Sequence, residues 1–195
     1  MNKNELKKIT ENLIDTFNIA GIESMNLYKK GLKIEIKEDN SPVSNGDLKV
    51  NELITNKIRE LTPAIPIVSE ETVDLKIKNK AKIFWLIDPI DGTREYIAGK
   101  DEYTLNAALV IDKIPCIGLV GVPKKNQLYY SFGLGESYII ENNKTKKNLC
   151  SKKTLKNEIV ALSSHSTPSK EISKILDYYK VTSIVKMASS YKFCV

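Results

Sequence analysis

Residues 85–93 read Trp-Leu-Ile-Asp-Pro-Ile-Asp-Gly-Thr, and this stretch combines a strong strand signal with reactive side chains. Residues 83–87 are all apolar, which predicts a buried strand that ends at Asp88. Asp88 and Asp91 place two carboxylates directly after that strand, and Thr93 adds a hydroxyl two positions later. Ligands of α/β proteins bind where strands end, so the stretch predicts a site at one edge of a sheet.

The turn after the strand is suited to close contact with a ligand. Pro89 fixes its own φ, and Gly92 lets the backbone approach a bound molecule. A helix that begins near Gly92 and Thr93 would direct backbone N–H groups at a phosphate. Asp-Gly after a strand is often only a turn, and the combination with Asp88 and Thr93 is what favours a site. The three-residue spacing of the aspartates differs from the DxDx[TV] pattern of haloacid dehalogenase-type phosphatases.

A third carboxylate, Glu70, follows another short apolar strand predicted at residues 65–68. If the two strands are neighbours, Glu70, Asp88 and Asp91 converge. Three carboxylates repel one another unless cations lie between them. Carboxylate oxygens are ligands that Mg²⁺ prefers, so the sequence predicts a magnesium site. The alternative is that Glu70 is only a solvated residue at the end of its strand.

Asp47 begins a predicted helix, where an acidic residue is commonly an N-cap with a structural role alone. The alternative gives it a chemical role. Its carboxylate could accept a hydrogen bond from Thr93, and the pair could activate a water molecule next to a metal ion.

The order of predicted elements is two helices, a run of strands, and then a strand–helix–strand unit. This order predicts a layered α/β protein with lobes at residues 1–145 and 146–195. We expect a strand with one wet face at residues 32–36, and a solvated loop at Lys144–Lys147. The other predicted elements are helices at 4–29 and 47–61, strands at 103–111, 114–122, 128–132 and 137–140, and, in the second lobe, a strand at 159–162, a helix from Pro168 and a strand at 181–185.

Composition limits the classes of protein. The 195 residues carry a formal net charge of +6, but the lysines are interspersed with acids, so a nucleic-acid-binding module is a minor alternative. Its test is steeply salt-dependent affinity for DNA or RNA. Apolar runs are too short for a membrane span. Three scattered cysteines predict a reducing compartment, and a single histidine, His165, excludes a His-rich metal site. We therefore expect a cytoplasmic protein, with peripheral binding at the cytoplasmic membrane face left open.

Three ordered motifs resemble the inositol monophosphatase superfamily. Residues 88–93 match its DPxDGT signature, residues 67–71 match its upstream acidic motif, and residues 39–47 resemble its DxSPVTxAD stretch. Other segments are more similar to 3'(2'),5'-bisphosphate nucleotidases of the CysQ type: 94–97 (Arg-Glu-Tyr-Ile), 102–109 (Glu-Tyr-Thr-Leu-Asn-Ala-Ala-Leu), 163–165 (Ser-Ser-His) and 189–194 (Ser-Ser-Tyr-Lys-Phe-Cys). Two positions depart from the pattern: Gly46 stands where Ala is usual, and Ala188 where Gly is usual.

The resemblance implies the layered sandwich fold of this superfamily and a role for each matching residue. Glu70, Asp88, Asp91 and the carbonyl of Ile90 would hold Mg²⁺. Asp47 and Thr93 would be catalytic and activate the attacking water. The substrate-binding residues implied by the resemblance are Glu70, Ile90, Asp91, Gly92 and Thr93 near the phosphate, and Ser164, His165, Ser189, Ser190 and Lys192 on the nucleotide side.

The implied reaction is hydrolysis of the 3'-phosphate of adenosine 3',5'-bisphosphate, a by-product of sulfate assimilation, to AMP and phosphate. The partner would be this small phosphorylated molecule and not a nucleic-acid polymer, and a homodimer is left open. An inositol-phosphate or sugar-phosphate substrate is the alternative within the same class. A protein that binds metal or nucleotide without turnover is the alternative from another class.

The resembling family continues past the position of Val195 with a WDxAAG-like motif that supplies a further metal ligand. Trp85 is the single tryptophan here and is followed by Leu86, so that motif is absent from these 195 residues. We therefore expect a truncated chain with an incomplete second lobe, in which apolar surface is exposed.

Overall fold

The structure is a computed structural model that describes residues 1–72, 81–142, 144–147, 149, 159–165 and 169–195. Its α-helices are α1 (Lys3–Lys30), α2 (Asn45–Leu61), α3 (Thr93–Ile97) and α4 (Lys170–Tyr178). Its strands are β1 (Ile34–Ile36), β2 (Pro42–Ser44), β3 (Ile67–Ser69), β4 (Ile83–Asp91), β5 (Thr104–Ile111), β6 (Ile114–Val122), β7 (Gln127–Ser131), β8 (Ser137–Glu141), β9 (Lys144–Lys147), β10 (Val160–Ser163) and β11 (Ser183–Lys186).

Seven strands form one sheet in the order β3-β4-β5-β6-β7-β8-β9. β3 runs parallel to β4, and every later neighbour is antiparallel. Most antiparallel neighbours are joined by short connections, as the hairpin signals in the sequence predict. The parallel pair is the important exception, because it brings the ends of β3 and β4 to the same edge of the sheet.

Helices α1 and α2 pack against each other and against this sheet. The apolar stripes predicted for both helices lie in the core, where Leu13, Phe17, Val50, Ile54 and Ile58 are almost completely buried. A helix with one apolar stripe is stable when that stripe packs against a sheet. The mixed α/β fold expected from the sequence is therefore confirmed.

A second unit pairs β10 and β11 in parallel, with α4 in the connection between them. The strand–helix–strand prediction for this part is confirmed, and α4 begins after its N-cap, Ser169. Pro168, predicted to start the helix, lies outside the described residues. The apolar side chains of this unit are largely exposed, among them Val160, Ile172 and Ile175 at 51%, 46% and 55%.

Two local predictions are wrong. Ile34 and Ile36 do not face a core, because β1 pairs with β2 alone in a separate two-stranded sheet, and all of β1 is exposed. Lys144–Lys147 is not a loop, because its backbone pairs with β8 as the last strand of the large sheet. Alternation of side chains predicts a strand but not what covers its faces. At β9, pairing with a neighbouring strand outweighs the weak strand preference of lysine.

Candidate active site

The ends of β3 and β4 lie side by side at one edge of the large sheet. Ser69 is paired with Ile87, and the backbone N–H of Glu70 donates to the carbonyl of Ile87 at 3.1 Å. This register places Glu70, the residue after β3, beside Asp88. The two strands are therefore neighbours, and Glu70 lies close to Asp88, as the sequence predicts for that arrangement.

The end of β4 departs from regular pairing where its two aspartates lie. Asp88 is opposite Asn106 and Asp91 is opposite Thr104, with a shift of register between them. A bulge of this kind re-aims side chains at the edge of a sheet. Gly92 follows with φ 90° and ψ 44°, a left-handed conformation that favours glycine, and α3 begins at Thr93 as predicted.

Asp47 joins the end of β4 to the start of α2. It is 1% exposed and occupies the third position of α2, not the N-cap, which is Ser44. One oxygen, Oδ2, accepts from the Ser44 backbone N–H at 2.8 Å and from Ser44 Oγ at 2.6 Å. The other oxygen, Oδ1, accepts from Thr93 Oγ1 at 3.0 Å. The expected Asp47–Thr93 hydrogen bond is present, and the capping box fixes the carboxylate that accepts it.

Electrostatic repulsion within the site is strong. Burial, together with the nearby carboxylates of Glu70 and Asp91, raises the pKa of Asp88 to about 8. Burial also raises the pKa of Asp91, although the Ser190 N–H and Lys192 oppose the rise. Crowded carboxylates that resist ionisation are a common property of metal and catalytic sites.

The side chain of Lys37, in the β1–β2 hairpin, approaches this edge of the sheet. Lys37 Nζ lies 2.9 Å from Glu71 Oε1 and 3.5 Å from Glu70 Oε1. Burial would lower the pKa of Lys37, but its hydrogen bonds and charge interactions with Glu71 and Glu70 outweigh burial and raise it. Lys37 thus offsets part of the negative charge on the β3 side of the site.

The donor set suits a hard divalent cation. Asp88 Oδ1 is buried and accepts no hydrogen bond in the structure, although buried carboxylate oxygens are normally satisfied. Glu70, Asp91 and the carbonyl of Ile90 add further oxygens. In the described part of the chain, no three His, Cys, Asp or Glu side chains are already spaced to enclose an ion. The orphan oxygen and the oxygen-only chemistry fit Mg²⁺.

The segment after β11 packs against the end of β4. The backbone N–H of Ser190 donates to Asp91 Oδ2, and Lys192 Nζ donates to the carbonyl of Ser189 at 2.8 Å. A Cβ added to Gly92 would lie 3.5 Å from Ser189 Cβ. Three of the residues expected on the nucleotide side, Ser189, Ser190 and Lys192, thus lie next to the carboxylate edge.

The other two expected residues lie at the end of β10. Ser164 and His165 are both exposed to solvent. The His165 ring is 2.8 Å from Glu102 Oε2. Glu102 lies two residues before β5, so this contact links His165 to the strand beside β4.

Five residues without a predicted function contact site residues: Lys37, Ser44, Glu102, Thr104 and Asn106. The signal for three of them was available. Glu102, Thr104 and Asn106 alternate with the apolar Tyr103 and Leu105, the period of a strand with one polar face. The contact made by Lys37 depends on the hairpin geometry and left no pattern in the sequence.

Residues 5–195 match the model of the inositol monophosphatase family.

The chain belongs to the inositol monophosphatase family.

Among curated members, the 3'(2'),5'-bisphosphate nucleotidase CysQ of Buchnera aphidicola is 30% identical over 191 residues, which cover 96% of this chain and 71% of that protein. Across the first curated relatives matched, the alignments span from 46% to 71% of their length.

Solved structures of this family share the fold. The crystal structure of CysQ from Bacteroides thetaiotaomicron superposes with a TM-score of 0.77 at 27% identity, covering 95% of this chain and 74% of that one. An IMPase/NADP phosphatase complexed with Mg²⁺ and phosphate superposes with a TM-score of 0.74, covering 94% of this chain and 68% of that one, and its 16% identity is evidence for the fold alone. No helix among the described residues has the length and apolar character needed to cross a bilayer.

Proposed function

We propose that this chain is a Mg²⁺-dependent phosphatase that hydrolyses the 3'-phosphate of adenosine 3',5'-bisphosphate, giving AMP and phosphate. The observation that carries the proposal is the carboxylate edge formed by Glu70, Asp88 and Asp91 beside the Asp47–Thr93 hydrogen bond. The substrate is proposed from relatives named as 3'(2'),5'-bisphosphate nucleotidases. The cytoplasmic location and the homodimer stay predictions from the sequence.

The metal ligands we propose are Glu70, Asp88, Asp91 and the carbonyl of Ile90. The buried, unpartnered oxygen of Asp88 supports its assignment as a ligand. When bound, Mg²⁺ neutralises charge on the phosphate and polarises a nearby water molecule. The carboxylates of this chain orient the ion, and their mutual repulsion makes a cation favourable there.

Asp47 and Thr93 are the proposed proton acceptors. Thr93 Oγ1 lies 3.0 Å from Asp47 Oδ1 and 3.1 Å from the carbonyl of Ile90. As a water molecule attacks phosphorus, it gives a proton to Thr93 Oγ1, and Thr93 passes its own proton to Asp47 Oδ1. The bond between phosphorus and the ester oxygen breaks, and that oxygen leaves with a proton from solvent. General-base assistance of this kind contributes about 10²–10⁴-fold to a rate.

The remaining assigned residues bind the substrate. Gly92 allows close approach of the backbone to the phosphate, and Lys192 carries a positive charge beside Asp91. Ser189 and Ser190 would contact the nucleotide near the phosphate. Ser164 and His165 would contact it farther out, at the exposed end of β10.

The test is phosphate release by the purified chain with adenosine 3',5'-bisphosphate or inositol 1-phosphate, with and without Mg²⁺. We expect Mg²⁺-dependent release from the nucleotide. We expect Thr93→Val to lower kcat by about 100-fold and Asp91→Asn to abolish Mg²⁺ binding in calorimetry. Lys174→Ala, an exposed change on α4, is the matched control with unchanged activity.

The outcomes separate the alternatives. Faster turnover of inositol 1-phosphate would replace the proposed substrate with the sugar-phosphate class. Calorimetric binding of the nucleotide without turnover at high protein concentration would contradict the enzymatic proposal and favour a binding protein. Salt-sensitive affinity for DNA or RNA, with no phosphatase activity, would favour the nucleic-acid-binding module.

A further inference from the structure

The polypeptide entering β5 has one apolar face and one polar face. Tyr103 and Leu105 point into the core and are fully buried. Glu102, Thr104 and Asn106 alternate with them, as expected for extended backbone. We refer to these three residues as the polar face of β5, although Glu102 lies two positions before the strand begins. None of them has a role in the mechanism proposed above.

Glu102 connects two separate segments of the second unit. Its Oε2 atom is 2.8 Å from the ring Nε2 of His165, and it accepts a hydrogen bond from the backbone N–H of Ala188 at 2.7 Å. His165 follows β10 and Ala188 follows β11. One carboxylate oxygen therefore fixes the distance between two segments expected on the nucleotide side.

Thr104 and Asn106 hold Ser190, which lies two positions after Ala188 in the segment that follows β11. Ser190 Oγ donates to Asn106 Oδ1 at 2.7 Å and lies 2.7 Å from Thr104 Oγ1. Asn106 Nδ2 also donates to Thr104 Oγ1, at 3.2 Å. The backbone N–H of Ser190 donates to Asp91, which lies opposite Thr104 in the sheet. Ser190 is thus held through both its side chain and its backbone.

Between these anchored residues, Ser189 has φ 52° and ψ −171°. This region of backbone space is rarely adopted by residues other than glycine and persists when the surroundings enforce it. The enforcement is visible here, because Glu102 holds the N–H before Ser189 and Asp91 holds the N–H after it. Strained residues fixed in this way cluster at ligand-binding sites.

We propose that the polar face of β5 is a positioning device that sets His165 and Ser189 relative to Asp91, and thereby determines how tightly the nucleotide part of the substrate binds. The proposal rests on the proposed function, since it concerns the substrate of that same site. Glu102 is the positioning residue that matters most, because it alone reaches both segments. It acts through His165 and Ala188 and does not touch the reacting atoms.

The kinetic test compares two substrates in Glu102→Ala, Glu102→Gln and the control Glu60→Gln, an exposed helix residue paired with Lys57. Adenosine 3',5'-bisphosphate has a nucleotide part, and p-nitrophenyl phosphate does not. We expect Glu102→Ala to raise KM for the nucleotide about tenfold, with KM for p-nitrophenyl phosphate and both kcat values changed less than about twofold. Glu102→Gln, which keeps one acceptor oxygen, should recover part of the loss. Equal changes for both substrates, or none for either, would overturn the proposal.

A second measurement does not require turnover. His165 is the single histidine, so its ring protons can be assigned directly by NMR. We expect Glu102→Ala, but not Glu60→Gln, to shift these signals and to speed amide hydrogen exchange at Ala188. If the unmodified chain has no phosphatase activity and these changes occur, the proposed function fails while the positioning contacts stand. If the chain is active but Glu102→Ala alters neither exchange nor the KM ratio, the positioning proposal alone is wrong.

Discussion

Apolar residues in the sequence predict both β4 and the β10–α4–β11 unit. The two regions differ in burial, because core residues surround the end of β4 whereas the apolar side chains of the β10–α4–β11 unit are largely exposed. At β4, Trp85 and Ile87 are essentially buried, and the polar groups that follow them are held by α2, β5 and the segment after β11. In the β10–α4–β11 unit, α4 contains no buried residue, although its apolar residues recur at helical spacing. Apolar periodicity thus predicts which element forms, whereas packing partners decide how much each side chain stabilises it.

The difference also concerns electrostatics. Burial at β4 keeps carboxylates in a poorly solvated environment, where their repulsion becomes large enough to raise the pKa of Asp88 to about 8. Asp177, on exposed α4, is surrounded by solvent, which screens its charge. Burial therefore makes the carboxylates after β4 sensitive to one another.

The largest expected difference between the two regions is in side-chain packing. Trp85→Ala should lower the free energy of unfolding by about 4 kcal/mol, because it leaves a cavity in the core. It also removes the indole N–H, which donates a hydrogen bond to Thr62 Oγ1 at 3.0 Å. Ile175→Ala on α4, whose side chain is 55% exposed, should change it by less than about 0.5 kcal/mol. Urea denaturation measures both, and similar losses would show that α4 is buried in solution.

A smaller effect is expected at Gly46, which stands where the family usually has alanine. A Cβ at this position would overlap the Tyr96 hydroxyl most closely, and also the ring, whose Cε1 atom would lie 2.6 Å away. Gly46→Ala should therefore cost about 2 kcal/mol of stability. In a Tyr96→Phe background, where the hydroxyl is absent, the same change should cost at least about 1 kcal/mol less. Additive losses in this double-mutant cycle would contradict the steric explanation.

The last expected effect concerns pH and tests the electrostatic difference. The folded chain without added metal retains a proton on Asp88 up to about pH 8, whereas the unfolded chain releases it near 3.8. Stability should therefore fall as pH rises through this window. Asp88→Asn, which cannot ionise, should reduce this fall and raise the Tm at pH 8, while Asp91, whose pKa burial also raises, keeps part of the fall.

Thermal unfolding from pH 5 to 9 in the presence of a chelator measures this pH dependence. Asp177→Asn, at an exposed position of α4, is the matched control. Parallel curves for Asp88→Asn and the unmodified chain would contradict the proposed burial of the Asp88 charge.

Much of the fold was predictable because its signals are local. The stripes of α1 and α2, the apolar run of β4 and the turns between β5 and β8 each depend on residues close in sequence. The failures are non-local. Lys144–Lys147 forms a strand because β8 offers it backbone partners, and Ile34 and Ile36 stay exposed because β1 pairs away from the large sheet.

The sequence by itself determined the chemistry available to this protein: the carboxylates of Glu70, Asp88 and Asp91, the hydroxyl of Thr93, and their positions after strands. Only the tertiary structure decided which of them meet. The parallel pairing of β3 with β4 brings Glu70 to Asp88, and the Ser44 capping box turns Asp47 toward Thr93. Likewise, the polar face of β5 gains its contacts from residues more than sixty positions away. Strand register and burial depend on the whole chain, and no local pattern specifies them.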